Sequence, residues 1–394
     1  MIFSPHSMEV ESVVQRSKRL VIEANKARQL LLAPRISQVG SRQEVRWCSP
    51  PSGWVKVNTD GAHRSDSGLS ACGGVNRDNR GSWLGGFSKT VGMCSVPCYF
   101  IFGDSLSDVN NNNKLVTTAK VNYSPYVIDF PQGPTGRFTN GRTIQDIIVQ
   151  LLDFQEFIPP FATSRGQEIL KGVNYASGSA GILNESGQGD QISVNNQLSN
   201  HQIIFSTMAD MLGECLASKL LRKCIYEVQI GINDYINNYF MPQYYNTSRI
   251  FTPHQYVAFL IQQYSRQIKI LYNNGARMLA LFGIGSIGCT PSAMALYGRN
   301  GCFTMANTSC CEIGSDGSLC VPGSEPCEDR SPYVFSDAVH PSEAWNEVTT
   351  TQAYGTKSSA QAHPLNIKTM AQLLRNNHDT DGDIWEWQET LVSL

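Results

Sequence analysis

The apolar positions of the chain change their spacing along its first hundred residues. Between residues 8 and 32 they recur at helical spacing among charged residues, which predicts a helix that is solvated or packs on a partner. Residues 33–45 predict a linker because Pro, Gly and Ser interrupt them. Over residues 46–92 apolar and polar positions alternate in short stretches, so this part predicts a three-stranded meander. Its strands are expected at Trp54–Gly61, Cys72–Val75 and Ser82–Phe87.

From residue 98 onward, short apolar stretches alternate with helical patterns, and this alternation predicts a parallel sheet with crossover helices. Several of the stretches end in Gly and a small polar residue, as a ligand site at the carboxyl edge of a sheet requires. Thr143 and Thr252 can each cap a predicted helix. The predicted strands are 98–102, Gly172–Ala176, Cys224–Ile230 and Met278–Phe282.

Composition narrows the class of protein. The chain has 394 residues, 41% hydrophobic and 16% charged, with a formal net charge of −2. Such a charge gives no electrostatic reason to expect nucleic acid or an anionic membrane as a partner. No apolar run approaches the roughly 20 residues that span a bilayer. The first 30 residues contain no uninterrupted apolar segment, so no secretory signal peptide is expected.

The cysteines favour an oxidising compartment, although the N-terminus does not predict secretion. Five of the 12 cysteines crowd into one Gly- and Ser-rich stretch: Cys302, Cys310, Cys311, Cys320 and Cys327. Since neither a CxxC spacing nor a nearby His pair suggests zinc, the stretch predicts a disulfide-stapled loop. Such loops are typical of oxidising compartments, and sequons at Asn122, Asn184, Asn246 and Asn307 agree with one.

The strand that ends at Phe102 is followed by Gly103-Asp104-Ser105. Glycine permits a tight turn, and a serine just past the carboxyl end of a strand lies where open α/β sheets bind ligands. Ser105 is therefore a candidate nucleophile. The alternative is a turn serine that precedes a helix cap, and this stretch alone does not separate the two.

A serine needs a base near neutral pH, and the imidazole that serves as base needs a group to fix its tautomer. Asp337 and His340 are three positions apart and can share one turn, with the carboxylate reaching the ring. The chain order Ser105, Asp337, His340 is that of α/β hydrolases, although Ser105 lacks their Gly-x-Ser-x-Gly surroundings. The alternative for the Asp-x-x-His pair is a surface turn.

Ester or amide chemistry at Ser105 also requires donors for a developing oxyanion. The backbone N–H of Ser105, an N–H at Gly178 or Gly181, and the side-chain amide of Asn233 are the candidates. Alone, Asn233 is equally compatible with a strand-end turn or a helix cap.

Taken together, residues 98–375 resemble the plant GDSL esterase/lipase family of the SGNH hydrolase superfamily. The motifs are Phe102-Gly103-Asp104-Ser105, Asn174-Tyr175-Ala176-Ser177-Gly178, Gly231-Ile232-Asn233-Asp234 and Asp337-Ala338-Val339-His340-Pro341. The resemblance implies a three-layer, flavodoxin-like α/β fold and hydrolysis of small-molecule or lipid esters. It implies a nucleophile at Ser105, oxyanion donors at Gly178 or Gly181 and at Asn233, and His340 as a base oriented by Asp337. No metal or organic cofactor is implied.

Two departures from this family are visible. Family members usually begin with a signal peptide and are secreted, so its absence leaves an intracellular location open. After Pro291 the family has a helix and one more strand, but residues 297–308 pass almost directly into the Cys-rich stretch. We therefore expect an internal deletion there, a sheet that lacks one edge strand, and weaker support for the loop of Asp337 and His340. The sequence does not specify an oligomeric state.

The meander resembles the first half of the plant RNase H-like domain. Residues 53–62, Gly73-Gly74-Val75, Arg77-Asp78 and Gly81-Ser82-Trp83 follow its pattern, and Asp60 matches its first metal-binding aspartate. Two-metal nuclease chemistry needs several carboxylates, and the chain continues into the Gly-Asp-Ser strand before supplying the next one. Asp60 is therefore expected to be vestigial, and neither metal nor nucleic acid is expected to bind.

These patterns predict four parts: a helix and linker (1–45), a partial RNase H-like fragment (46–95), a hydrolase domain (96–375) and a polar tail (376–394). The function they favour is a serine hydrolase of carboxylic esters. A catalytically impaired fusion product is the alternative, and an RNase H-like protein is the third hypothesis.

Overall fold

The structure is a computed structural model. It describes residues 56–64, 69–77, 80, 83–92, 96–187, 189–285, 290–292, 308–315, 317–376 and 388–392. The chain divides into two compact units, with the boundary between Met93 and Cys94. The helix and linker predicted for residues 1–45 lie outside the described residues.

The first unit contains three antiparallel strands in the order β1-β2-β3. They are β1 (Lys56–Arg64), β2 (Leu69–Arg77) and β3 (Trp83–Gly92), each longer than the sequence predicts. Asp60 lies in the middle of β1, opposite Gly73 of β2. The second hairpin has a register irregularity at Asn76 and Arg77.

The second unit is built on a five-stranded sheet in the order β4-β5-β6-β8-β7. Its centre is β4 (Tyr99–Gly103), β5 (Ile225–Gln229) and β6 (Met278–Phe282), which are parallel and buried along their whole length. Helices cover both faces, as parallel sheets require. The predicted α/β class with a parallel sheet is therefore confirmed.

Side chains of the central strands alternate between two apolar cores. Phe100 and Phe102 of β4 face one core, which also takes in α2 (Val194–Leu212), α3 (Glu214–Leu221) and α4 (Pro253–Asn273). Tyr99 and Ile101 face the other, formed with α1 (Ile144–Leu151), α5 (Glu343–Gly355) and α6 (Ile367–Asn376). Burial of apolar area on both faces fixes the orientation of β4, whose carboxyl end carries Ser105.

The predicted caps are present. Thr143 forms a capping box with Asp146 at the start of α1. Thr252 does the same with Gln255 ahead of Pro253 at the start of α4. Shorter helical turns lie at Asn111–Lys114, Gly166–Lys171, Ile232–Asp234, Tyr235–Tyr239 and Thr247–Ile250. No helix in the described part of the chain is long and apolar enough to cross a membrane.

The strand predicted at Gly172–Ala176 is reduced to isolated bridges at Asn174, one to Ile101 of β4 and one to Pro160. Two backbone hydrogen bonds hold it to β4, from Ile101 to Val173 and from Tyr175 to Ile101. A Cβ at Gly172 would lie 1.9 Å from the Tyr99 carbonyl oxygen, so the two backbones approach closely at a glycine. The segment still runs beside β4 and delivers the following loop to the carboxyl edge.

The far edge of the sheet differs from expectation. Five residues of the segment assigned to a polar tail form β8 (Gln388–Val392), which pairs in parallel with β6. The two-residue strand β7 (Ala362–His363) then pairs with β8 in antiparallel orientation. The position beside β6, where the sequence analysis expects a strand to be missing, is thus occupied from the C-terminal end of the chain.

Three disulfides lie within the described residues. Cys98–Cys224 joins the amino ends of β4 and β5. Cys310–Cys327 and Cys311–Cys320 close the Cys-rich stretch, which we call the disulfide loop (residues 309–327). Since all four cysteines of this loop pair with one another, the expectation of a disulfide-stapled loop is met.

Candidate active site

The candidate nucleophile lies on the turn directly after β4. The N–H groups of Ser107 and Asp108 donate to the Asp104 carbonyl oxygen, and the Leu106 N–H donates to the Asp104 carboxylate at 3.0 Å. A Cβ at Gly103 would lie 2.7 Å from the Gln229 carbonyl oxygen, so the turn starts at a position with no room for a side chain. Ser105 is half-buried on this turn.

The structure brings the three predicted triad residues together. The Ser105 hydroxyl lies 2.9 Å from His340 Nε2, and His340 Nδ1 lies 2.7 Å from Asp337 Oδ2. His340 is 5% exposed and Asp337 is fully buried. Two hydrogen bonds in series, with the carboxylate away from water, are the arrangement in which imidazole can accept a serine proton.

Asp337 and His340 share a tight turn, as their spacing predicts, but not a surface one. Asp337 Oδ1 accepts the N–H groups of Val339 and His340 at 2.8 and 2.6 Å. The Ser336 N–H closes the turn by donating to the His340 carbonyl oxygen at 2.9 Å. The carboxylate therefore builds the turn that carries its own partner.

Asn233 lies on the short helix after β5 and is 4% exposed. Its amide nitrogen donates to the Ala180 carbonyl oxygen at 2.9 Å, and its amide oxygen accepts from Asn237 at 2.6 Å. An amide nitrogen carries two N–H bonds, so one remains to meet an oxyanion. The same contact ties Asn233 to the loop of Gly178 and Gly181.

The two candidate glycines differ in what they contact. The Gly178 N–H donates to Asp108 Oδ2 at 3.0 Å, so in this conformation it is engaged by a carboxylate. Gly181 packs against Asp234 and Ser186, where an added Cβ would lie 2.8 Å from Asp234 Oδ1. Of the two predicted donors, Gly181 is the one next to Asn233's own helix.

Comparison with known proteins identifies the family of the chain. Residues 99–307 match the family model described as GDSL-like Lipase/Acylhydrolase, a range that includes Ser105 and Asn233 but ends before Asp337. The chain is 42% identical over 348 residues to the GDSL esterase/lipase At1g29670 of Arabidopsis thaliana, which covers 73% of this chain and 95% of that protein. This chain belongs to the GDSL-like lipase/acylhydrolase family.

Two further GDSL esterase/lipases of the same plant are similar to the chain. At1g29660 is 42% identical over 336 residues, which is 71% of this chain and 92% of that protein. At4g18970 is 41% identical over 336 residues, which is 71% of this chain and 93% of that protein. Since nearly the whole of each relative is spanned, the likeness to the GDSL family extends well beyond the short motifs.

Three buried acids surround the site of this GDSL-family chain. Burial raises the pKa of Asp104 to about 7, and the nearby His340 opposes the rise. Burial raises the pKa of Asp108 to about 6, against four backbone N–H groups that lower it. Burial also raises the pKa of Asp234, whose carboxylate accepts from Ile182, Leu183 and Ser186. Asp108 and Asp234 thereby hold the Gly178–Ser186 loop against the Ser105 and Asn233 turns.

Sequence reasoning missed these two supporting acids and one tyrosine. Asp234 ends the motif Gly231-Ile232-Asn233-Asp234, and Asp108 follows Ser105 by three positions, so closeness to the predicted site residues in sequence is a signal that could have found both. Tyr126 donates its hydroxyl to Asp337 Oδ2 at 2.6 Å from 211 positions away, and no spacing in the sequence indicates it.

One apolar cavity of about 540 Å³ lies beside the Gly231 turn, lined by residues of α4 and the ends of β5 and β6. Its wall includes Ile182, Ile230, Val257, Ile261 and Ile284, and neither Ser105 nor His340 belongs to it. The candidate site is thus defined by its hydrogen-bond geometry and not by this cavity.

Proposed function

We propose that the chain hydrolyses carboxylic esters of small molecules or lipids, with Ser105 as nucleophile. The observation that carries the proposal is the pair of hydrogen bonds from Ser105 Oγ to His340 Nε2 and from His340 Nδ1 to Asp337 Oδ2, at 2.9 and 2.7 Å. Family membership supports ester hydrolysis as the reaction class. The roles of individual residues are our assignment.

In the first half-reaction Ser105 Oγ attacks the ester carbonyl carbon while His340 Nε2 takes the hydroxyl proton. Asp337 holds the ring in the tautomer that leaves Nε2 free to accept and stabilises the imidazolium. The tetrahedral oxyanion is held by the Ser105 N–H, the Asn233 amide and Gly181 or, if Asp108 releases it, Gly178. The alcohol leaves with the proton from His340.

In the second half-reaction His340 deprotonates a water that attacks the acyl carbonyl, and the acid leaves as Ser105 regains its proton. Every proton in this cycle is carried by His340, so the chemistry requires neither a metal nor an organic cofactor. The substrate needs only an accessible ester carbonyl.

The test is hydrolysis of p-nitrophenyl butyrate by wild type, Ser105→Ala and Ser107→Ala. Ser107 is the matched control, because its hydroxyl donates to the Gln229 side chain at 3.1 Å and not to His340. We expect Ser105→Ala to lose at least about 10³-fold in kcat and Ser107→Ala to stay within a few-fold of wild type. Equal rates for wild type and Ser105→Ala would refute the assignment.

A fluorophosphonate probe separates this proposal from the impaired fusion product. Labelling of wild type that disappears in Ser105→Ala indicates an activated serine, whatever the natural ester is. A folded wild-type protein that the probe does not label would favour the impaired product instead.

The RNase H-like interpretation of residues 46–95 stays a prediction. The three antiparallel strands, with Asp60 in the middle of β1, are compatible with the first half of such a domain. Mg²⁺-dependent cleavage of an RNA–DNA hybrid that is lost in Asp60→Asn would support it. We expect no cleavage, since two-metal chemistry needs more than one carboxylate.

A further inference from the structure

The carboxylate of Asp337 accepts four hydrogen bonds, and three come from its own turn. Oδ1 accepts two backbone N–H groups, and Oδ2 accepts from His340 Nδ1. The fourth donor is the hydroxyl of Tyr126, on Oδ2 at 2.6 Å. The imidazole and a phenol therefore donate to the same carboxylate oxygen, and each hydrogen bond draws on the negative charge of that oxygen.

Tyr126 is held firmly enough to act on that oxygen. It is 1% exposed and packs in a small apolar cluster with Phe130, Phe138 and Cys320. Its own oxygen accepts the Cys320 N–H at 3.0 Å. Burial, and then the negative charge of Asp337, raise the pKa of Tyr126 far above its usual value, so the phenol keeps its proton and donates it.

We propose that Tyr126 is a positioning residue for the base. It holds Asp337 against His340, limits how strongly the carboxylate stabilises the imidazolium, and links both to the disulfide loop through Cys320. The proposal rests on the proposed function only in that His340 is taken as the base.

Removal of the phenol hydroxyl has two opposed consequences. A carboxylate that loses a donor holds more negative charge, so it stabilises the imidazolium and shifts protonation of the ring to higher pH. The same carboxylate loses one of its anchors, so the ring is less well aligned with Ser105 and turnover falls. A residue with a merely structural role would change stability without moving the pH profile.

The groups that face His340 are few. Asp337 lies on its own turn, Ser105 and Asp104 on the turn after β4, and Phe138 places its ring centroid 4.9 Å from the imidazole. Burial raises the pKa of Asp104 to about 7, so the charge of Asp104 can change within the pH range of the experiment. Because Asp104 is common to wild type and variant, its contribution cancels in the difference between their pH profiles.

The experiment compares Tyr126→Phe with Tyr123→Phe. Tyr123 is the matched control, since its hydroxyl donates to the Cys320 carbonyl oxygen at 3.1 Å on the other side of the same residue. For Tyr126→Phe we expect kcat on p-nitrophenyl butyrate to fall about 10-fold with KM within twofold. The acidic limb of its kcat profile should move up by about half a pH unit. Tyr123→Phe should show neither change, and coincident profiles and rates for the two variants would overturn the proposal.

A second readout does not depend on ester hydrolysis. The proton between His340 Nδ1 and Asp337 gives a low-field NMR resonance, assigned by its loss in His340→Gln. Its titration midpoint should lie higher in Tyr126→Phe than in wild type, and equal midpoints would again overturn the proposal. If the wild type neither hydrolyses the ester nor reacts with the fluorophosphonate, the proposed function is refuted. If the titration midpoint is nevertheless higher in Tyr126→Phe than in wild type, the role proposed for Tyr126 still holds.

Discussion

The two halves of the candidate triad are held in different ways. Ser105 follows a buried strand whose five residues pair with β5 and pack into two apolar cores. Asp337 and His340 lie on a turn that is held by its own hydrogen bonds and by hydrogen bonds from distant segments. The first half is secured by the sheet itself, whereas the second depends on a few polar contacts that one substitution can remove.

The disulfide loop provides much of that second support. The Cys310 N–H donates to the Ser336 carbonyl oxygen at 3.2 Å, and the Ala338 N–H donates to the Ser318 carbonyl oxygen at 3.1 Å. A missing strand, as expected from the sequence, would weaken this turn. In the structure, hydrogen bonds from the disulfide loop and from Tyr126 hold it.

The largest expected effect tests whether the turn-borne half of the triad, Asp337 and His340, is as necessary as the strand-borne half, Ser105. His340→Gln should lower kcat by about 10⁴-fold, similar to Ser105→Ala, because neither residue acts without the other. Asn346→Ala serves as control, since the Asn346 side chain donates to the Arg142 carbonyl oxygen at 2.9 Å and not to a triad residue. Hydrolysis by His340→Gln within about 10-fold of wild type would show that another group serves as base.

The sequence predicted the local features of both halves but not the long-range contacts that support them. The apolar run into Gly103 and the three-residue spacing of Asp337 and His340 are local patterns, and both predictions agree with the structure. Tyr126 and β8 depend on partners about 110 to 210 positions away, whose selection is a matter of tertiary packing. The expected strand at Gly172–Ala176 is reduced to isolated bridges for the same reason, since propensity does not decide how long a pairing continues.

The next prediction concerns a buried acid on β5, the strand that pairs with β4 below Ser105. Glu227 of β5 is fully buried, accepts hydrogen bonds from Tyr99 and Gln145, and has its pKa raised by burial from 4.5 to about 7. A raised folded-state pKa contributes stability that is complete below about pH 4.5 and is lost as the pH rises through 7. That rise corresponds to about 3 kcal/mol of unfolding free energy.

From pH 5 to pH 8 we therefore expect wild type to lose up to about 3 kcal/mol of unfolding free energy relative to Glu227→Gln. Urea unfolding of both proteins at both pH values measures this change. Glu325→Gln, at an exposed acid, is the control and should change nothing. If the difference between wild type and Glu227→Gln is the same at both pH values, Glu227 does not titrate in this window. A difference that grows with pH would show that ionisation of Glu227 lowers the stability of the sheet that carries Ser105.

The smallest expected effect separates the two halves most directly. Cys311→Ser/Cys320→Ser opens the disulfide loop at the residue whose N–H binds Tyr126, so it should loosen Asp337 and lower kcat about 10-fold. Cys98→Ser/Cys224→Ser is the matched control, because that disulfide joins the amino ends of β4 and β5, at the edge opposite Ser105. It should lower the unfolding free energy by about 2–4 kcal/mol and leave kcat at 15 °C near the wild-type value.

Steady-state kinetics and thermal unfolding on both double variants measure the two effects separately. A loss of kcat confined to Cys311→Ser/Cys320→Ser means that the turn-borne half depends on distant contacts, as the geometry of Tyr126 and Cys320 indicates. Equal kcat values in the two double variants, with both melting temperatures lowered, would mean that the disulfide loop contributes only stability. In that case the turn of Asp337 would be sufficient to position His340 by itself, through the two backbone N–H groups that its carboxylate already binds.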